Sequence, residues 1–188
     1  NPHSPKLAAA GVPQAAKPGD VAAGRKKAAT CANCHGAEGV SPNPVWPSLA
    51  GQQRGYLVSA LQAYKAGARR DPLMTEQAKG LSEADMIELA AFYASLSCQS
   101  AGSSAAAPVV SAGKAKVATC AACHGAEGAS ANPAWPSLAG LQEAYLVNAL
   151  TAYKTGARRN PMMAGPVKGL SDADIGKLAA YYAGLKCK

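Results

Sequence analysis

The apolar positions of this chain recur at helical spacing and nowhere alternate long enough to predict a strand. Leu57, Ala60, Leu61 and Tyr64 fall at i, i+3, i+4 and i+7, and Met86, Leu89, Ala90 and Tyr93 make a second stripe. Both stripes return later, as Leu146, Ala149, Leu150 and Tyr153 and as Ile175, Leu178, Ala179 and Tyr182. Ser82 with Asp85, and Ser171 with Asp174, carry the signature of a helix start, a capping hydroxyl followed by an acid in the first turn. The alanine-rich segments Asp20 to Cys31 and Ala112 to Cys120 also predict helix. Proline and glycine crowd residues 36–51 and 125–140, which predicts loops. The expected fold class is all-α.

The recurrence is a true internal repeat. Residues 24–98 and 113–187 align without a gap at an offset of 89, with 49 of 75 positions identical, so two tandem domains are expected. The division read from the chain is a tail over 1–18 with Pro2, Pro5, Pro13 and Pro18, a domain over 19–98, a Ser/Ala/Gly/Pro-rich linker over 99–111, and a domain over 112–188. Each domain is read as three main helices joined by long loops. Unstructured loops of that length are uncommon in a compact domain unless they wrap something. Aromatic side chains are scarce, with a single Phe and two Trp. Apolar cores of about eighty residues are thin by surface-to-volume scaling. A large apolar prosthetic group would fill them.

Charge narrows the partners. The formal net charge is +8, from 19 Lys and Arg against 11 Asp and Glu, yet no basic run exceeds Arg25-Lys26-Lys27. A nucleic-acid binder would cluster such residues with aromatics on one face, so no nucleic-acid role is expected. No stretch approaches the 18 or more apolar residues of a membrane span. The tail lacks the hydrophobic core of an export signal, so such a signal is expected to be removed or outside the sequence. His3 within the tail is read as solvated.

Cys31-Ala32-Asn33-Cys34-His35 and Cys120-Ala121-Ala122-Cys123-His124 occupy the same phase of the repeat. Cys-x-x-Cys-His is the attachment signature of c-type haem. The two thiols reach the two vinyl groups of one haem, and the next residue offers its imidazole to the iron. Zinc also takes Cys-x-x-Cys pairs, but would leave the adjoining His and the long loops unexplained. A thioredoxin-like redox pair needs a βαβ context that is absent. The iron then needs a sixth ligand. Only three His exist, two within the motifs and one in the tail, so bis-His ligation at both sites is excluded. Of the four methionines, Met86 lies on a core stripe. Met74 and Met163 align at the repeat offset in a Pro-containing loop, and Met162 aligns with Leu73, a packing position. The expected metal ligands are His35, Met74, His124 and Met163.

The order Cys-x-x-Cys-His, then Pro-x-Leu-x-Gly (Pro47 to Gly51, Pro136 to Gly140), then a methionine segment resembles the class I cytochromes c. The tandem arrangement, with Gly67-Ala68-Arg69-Arg70 and Gly156-Ala157-Arg158-Arg159 before that segment, resembles the dihaem cytochromes c4. The resemblance implies haem-wrapped helical domains meeting about a pseudo-twofold axis with propionates facing. It implies that the Pro47 and Pro136 carbonyls accept the ligand imidazole N–H. Arg69 and Arg158 are candidates to pair with propionates, or else solvated charges near a helix end. Tyr56, Tyr145, Trp46 and Trp135 are read as packing around the haem. Cys98 and Cys187 depart from the family pattern. They fit an interdomain disulfide, an intermolecular one, or two buried thiols.

His/Met ligation leaves no coordination place for a substrate and favours ferrous iron. The expected role is a periplasmic one-electron relay and not an enzyme. The redox partners expected are a donor, such as a membrane complex or a dehydrogenase, and a terminal oxidase, with any membrane contact peripheral. The alternatives are an electron-accepting subunit of an oxidoreductase, for example a sulfur-compound dehydrogenase, and a dihaem peroxidase. The peroxidase would need a five-coordinate iron, whereas both repeats keep their methionine.

Overall fold

A computed structural model describes residues 19–188. Each repeat contributes five helices, and no strand occurs among the described residues. The first repeat runs α1 (Val21–Lys27), α2 (Ala32–His35), α3 (Arg54–Ala66), α4 (Pro72–Lys79) and α5 (Glu83–Ser95). The second runs α6 (Ala107–Lys114), α7 (Ala118–His124), α8 (Glu143–Thr155), α9 (Pro161–Lys168) and α10 (Asp172–Gly184). The tail and His3 lie outside the described residues.

The two long amphipathic stripes became α3 and α5, repeated as α8 and α10. Both α5 and α10 begin with a complete capping box. The Ser82 hydroxyl accepts from Asp85 N–H at 3.0 Å while Asp85 accepts from Ser82 N–H at 2.8 Å, and Ser171 and Asp174 reproduce the pair. Met86 is 2% exposed inside the first core, as its stripe position requires. The first core gathers Leu57, Leu89, Phe92 and Tyr93, and the second Leu146, Ala179, Tyr181 and Tyr182.

Helix α1 crosses α5, and α6 crosses α10, at a glycine. A Cβ built on Gly24 would stand 2.0 Å from the Glu88 carbonyl oxygen, and one on Gly113 would stand 2.1 Å from that of Lys177. The backbones therefore approach as closely as only glycine permits. Lys27 reinforces the crossing from α1, pairing with Asp85 at 2.6 Å and Glu88 at 3.5 Å on α5.

Three local readings differ from the structure. The segment bearing Met74 and Met163 is an eight-residue helix in each repeat, not a loop. Pro72 or Pro161 sits at its first turn, and Asp71 or Asn160 caps it. The helix around Ala112 opens at Ala107, inside the stretch read as linker. The helix expected over Asp20 to Cys31 stops at Lys27, with α2 starting only at Ala32, and the one expected over Ala112 to Cys120 is broken between Lys114 and Ala118.

The repeats meet about a pseudo-twofold axis. Tyr56 N–H donates to the Pro133 carbonyl at 2.8 Å, and its counterpart Tyr145 N–H donates to the Pro44 carbonyl at 3.1 Å. Gln53 Nε2 reaches the Ser130 carbonyl at 2.7 Å, mirrored by Gln142 Nε2 to the Ser41 carbonyl at 3.4 Å. A disulfide between Cys98 and Cys187 closes the same seam.

Candidate haem sites

One continuous cavity of about 480 Å³ runs through both repeats, lined mainly by apolar side chains. Cys31, Cys34 and His35 stand on its wall in the first repeat, and Cys120, Cys123 and His124 in the second. The local fold explains why. Helices α2 and α7 end on the histidine, and Gly36 and Gly125 follow at φ 83° and 85°. That backbone conformation turns the chain sharply, against a carbonyl that a side chain could not clear.

The two imidazoles are buried. His35 Nδ1–H donates to the Pro47 carbonyl at 2.8 Å, and His124 Nδ1–H donates to the Pro136 carbonyl at 2.8 Å. The Pro47 and Pro136 bonds expected from the resemblance are therefore formed. Burial pushes both imidazoles below their ordinary pKa, with the proline carbonyls acting in opposition. Each ring is neutral, tautomer-fixed, and keeps the Nε2 lone pair for a metal.

The methionine pairs are sorted by their helix. Met74 and Met163 are half-buried and line the cavity. Leu73 and Met162, one residue earlier, are 59% and 58% exposed at its rim. Adjacent helical residues point about 100° apart, and although both of each pair line the cavity, Met74 and Met163 are the more buried.

These residues suit a haem better than zinc. Among the described residues no three His, Cys, Asp or Glu side chains gather into a metal cluster, as a tetrahedral zinc site would require. Four thiols on the cavity wall are unpaired with one another. Burial pushes the Cys31 and Cys120 thiols up in pKa, so they sit protonated in an apolar wall. The Tyr93 and Tyr182 hydroxyls lie beside these two thiols, buried without a conventional hydrogen-bond partner. Buried orphans of this kind are rare in a finished protein, and a group filling the cavity would meet them.

Arg69 and Arg158 are half-buried at the cavity rather than free in solvent. Arg69 lies over the Tyr64 ring at 4.5 Å from its centroid, and Arg158 over Tyr153 at 4.4 Å. Burial weakens the Arg69 charge, but the Tyr56, Tyr145 and Tyr64 oxygens outweigh it and raise its pKa. Burial pushes the Tyr56 hydroxyl up, while Arg158 and Arg69 pull harder and bring it down to about 8. Trp46 and Trp135 are half-buried in the cavity wall, consistent with packing. The sequence reading missed the glutamines of the seam. Gln52 Oε1 accepts from Ser137 N–H at 2.8 Å, and Gln142 Oε1 from Ser48 N–H at 2.9 Å. Each braces the Pro-Ser-Leu loop of the other repeat, which carries that repeat's imidazole acceptor. Gln142 shares its repeat position with Gln53, which was an available signal, whereas Gln52 stands where the second repeat has Leu141 and the repeat gave no sign of it.

Two haem-attachment motifs with tautomer-fixed histidines, opening on one apolar cavity, define a tandem-domain haem protein that carries electrons. The cytochrome c family model matches residues 21–97 and 110–186. Cytochrome c4 of Pseudomonas aeruginosa is 36% identical over 182 residues, 89% of each chain. The crystal structure of reduced recombinant cytochrome c4 from Pseudomonas stutzeri superposes with a TM-score of 0.82 at 32% identity, covering 89% of this chain and 99% of that one. A thiosulfate dehydrogenase electron acceptor of Stutzerimonas stutzeri is 32% identical over 83% of this chain and 79% of its own. The chain belongs to the cytochrome c family and, within it, to the two-domain cytochromes c4. It is an electron-transfer protein with two covalently bound c-type haems.

Proposed function

We propose that Cys31 and Cys34 hold one haem by thioethers with His35 and Met74 on its iron, and that Cys120, Cys123, His124 and Met163 do the same for the second. The haem supplies a one-electron couple whose potential is raised by a thioether ligand and an apolar surrounding. The chain's own residues do the rest. Pro47 and Pro136 hold the imidazoles in one tautomer. The apolar walls exclude water, and Arg69 and Arg158 receive propionates. With a histidine and a methionine to hold each iron, the sites would offer no seat to a substrate, which favours a carrier over a peroxidase. The observation that carries this reading is a half-buried methionine on the cavity wall at the same place in both repeats, Met74 and Met163, each beside a more exposed neighbour.

Its place of work is the periplasm. Among the described residues no helix is long and apolar enough to cross a membrane. The partners are a donor complex or dehydrogenase and a terminal oxidase. The relative described as a thiosulfate dehydrogenase electron acceptor favours a second reading, in which this chain takes electrons directly from a sulfur-compound dehydrogenase. A redox titration followed by visible spectroscopy tests the ligation. The expected result is two reversible one-electron couples, a weak sulfur-to-iron band at the red end in the oxidised state, and no binding of carbon monoxide by the ferrous protein. Ready carbon monoxide binding would return the peroxidase reading. Rapid reduction by a thiosulfate dehydrogenase, with slow transfer to an oxidase, would favour the second role.

A further inference from the structure

Helices α4 and α9 carry Met74 and Met163 at the same repeat offset, yet they are not equally well made. Glu76 and Gln77 of α4 stand where α9 has Gly165 and Pro166, and the cap Asp71 stands where α9 has Asn160. Asp71 Oδ1 accepts from the Met74 N–H at 2.9 Å, so this cap holds the proposed ligand residue itself. Asn160 Oδ1 accepts instead from the Met162 N–H at 2.9 Å. The Met163 N–H turns to the Asn160 carbonyl at 3.1 Å. A carboxylate at position 71 also complements the positive end of its helix, which a neutral Asn160 does not.

Gly165 and Pro166 weaken the body of α9. Pro166 lies inside the helix and has no N–H to donate to the Met162 carbonyl one turn earlier, and its ring crowds that carbonyl. Gly165 is not at positive φ, and nothing stands within 4 Å of a Cβ built on it. Neither a turn nor a close approach requires glycine there, so its effect is to loosen the helix. Both residues are exposed, as are Glu76 and Gln77, so core packing at these positions does not make up the difference. The buried anchors are alike, with Val167 at 2% exposure in the place of Ala78 at 0%. Eight residues make no stable helix by themselves. Helix α4 therefore has three local supports that α9 lacks.

We propose that α9 is an opening arm and α4 a fixed one, so that in the oxidised protein Met163 leaves its iron more readily than Met74 and a small nitrogen base takes the vacated place in the second repeat. This rests on the haem-carrier reading above. A thioether favours ferrous iron, so its hold is weakest after oxidation, and the reduced protein stays closed. The exchange gives up one coordinate bond from Met163 Sδ and forms one from the base. No electron or proton changes hands. The second site then accepts a ligand when oxidised, while the first keeps its methionine in both states. The apparent affinity for the base scales with the fraction of the arm that is open. Glycine and proline together raise that fraction by at least about tenfold on helix propensity.

The test is imidazole added to the oxidised holoprotein, with the methyl signals of Met74 and Met163 followed separately by NMR. The expected result is displacement of Met163 at a concentration at least about tenfold below that which displaces Met74. Gly165→Glu/Pro166→Gln gives α9 the residues of α4 at exposed positions, and should shrink that interval to about threefold or less. Amide hydrogen exchange without added imidazole supplies a second readout. The α9 amides of the wild type should exchange about tenfold faster than those of α4, and should slow in the variant. Simultaneous displacement, earlier loss of Met74, or no displacement of either methionine overturns the proposal. So does an interval unchanged in the variant, or equal exchange in the two wild-type helices. If the oxidised wild-type protein showed no sulfur-to-iron band before imidazole is added, the His/Met reading itself would have failed, a different and recognisable result.

Discussion

Cys98 and Cys187 are bonded across the seam between the repeats, with Cα atoms 6.1 Å apart and a sequence separation of 89. They occupy equivalent positions just beyond α5 and α10, so two equivalent chain ends meet near the pseudo-twofold axis. The bond closes a loop whose span equals the repeat offset. A Cys98→Ala/Cys187→Ala variant loses a loop constraint whose chain-entropy estimate is about 4–5 kcal/mol, an upper figure given the usual strain losses. The expected outcome is a lower denaturant midpoint and easier cleavage of the seam-facing loops by protease. Alkylation of the wild-type protein under denaturing, non-reducing conditions should add no mass to a monomer. Two added groups per chain would contradict the bond.

The unequal burial of neighbouring residues on α4 and α9 predicts which methionine matters. Met74→Ala and Met163→Ala should each remove about half of the sulfur-to-iron absorption band, because each removes one of two ligands. Met162→Ala should leave the band intact, since its side chain is 58% exposed at the rim. Loss of the band in Met162→Ala with its retention in Met163→Ala would reverse the assignment.

The glycine crossings make a sharp stability prediction. Gly24→Ala and Gly113→Ala place a methyl 2.0 and 2.1 Å, respectively, from a backbone carbonyl oxygen, far inside van der Waals contact. The neighbour is main chain and cannot swing aside. Each variant should be destabilised by about 1–3 kcal/mol or more, the usual range for overpacking a tight site. Equal unfolding midpoints for variant and wild type would show that the helices can slide apart without loss.

Acid should loosen the same helix pairs. The Lys27 ammonium, with the Ser82 cap, holds the Asp85 carboxyl down to about 2, and Lys116 and Ser171 hold Asp174 down to about 2. Both folded-state values lie below the unfolded value of about 4. Their contribution is therefore complete above about pH 4 and is lost as the pH falls towards 2. Denaturant midpoints measured between those values should drop in the wild type. In Asp85→Asn/Asp174→Asn they should start lower and change less. Parallel slopes for the two proteins would rule out these carboxylates as the acid-sensitive groups.

Much of this molecule was legible in the chain itself. The haem motifs, the helical stripes and the capping boxes are all set by residues within a few positions of one another, and the repeat copies them. Spacing along the chain is then spacing in space. Met74 and Met163 could be singled out for a related reason, because an offset that holds throughout the repeat transfers any local role from one half to the other. What only the tertiary structure decided lies at the seam. The choice among the three fates of Cys98 and Cys187 depended on where two chain ends 89 residues apart come to rest. Arg69 and Arg158 could be solvated or inward-facing by sequence. Their burial follows from the docking of two domains that brings Tyr145 and Tyr56 across to them. The repeat also hid the asymmetry there, since identical residues in both halves gave no reason to expect that Tyr56 would receive two guanidiniums and Tyr145 one. Local pattern specifies each domain because its helices and turns are short-range structures. The seam is a long-range contact between surfaces, and only the packed coordinates state which atoms of one repeat face which atoms of the other.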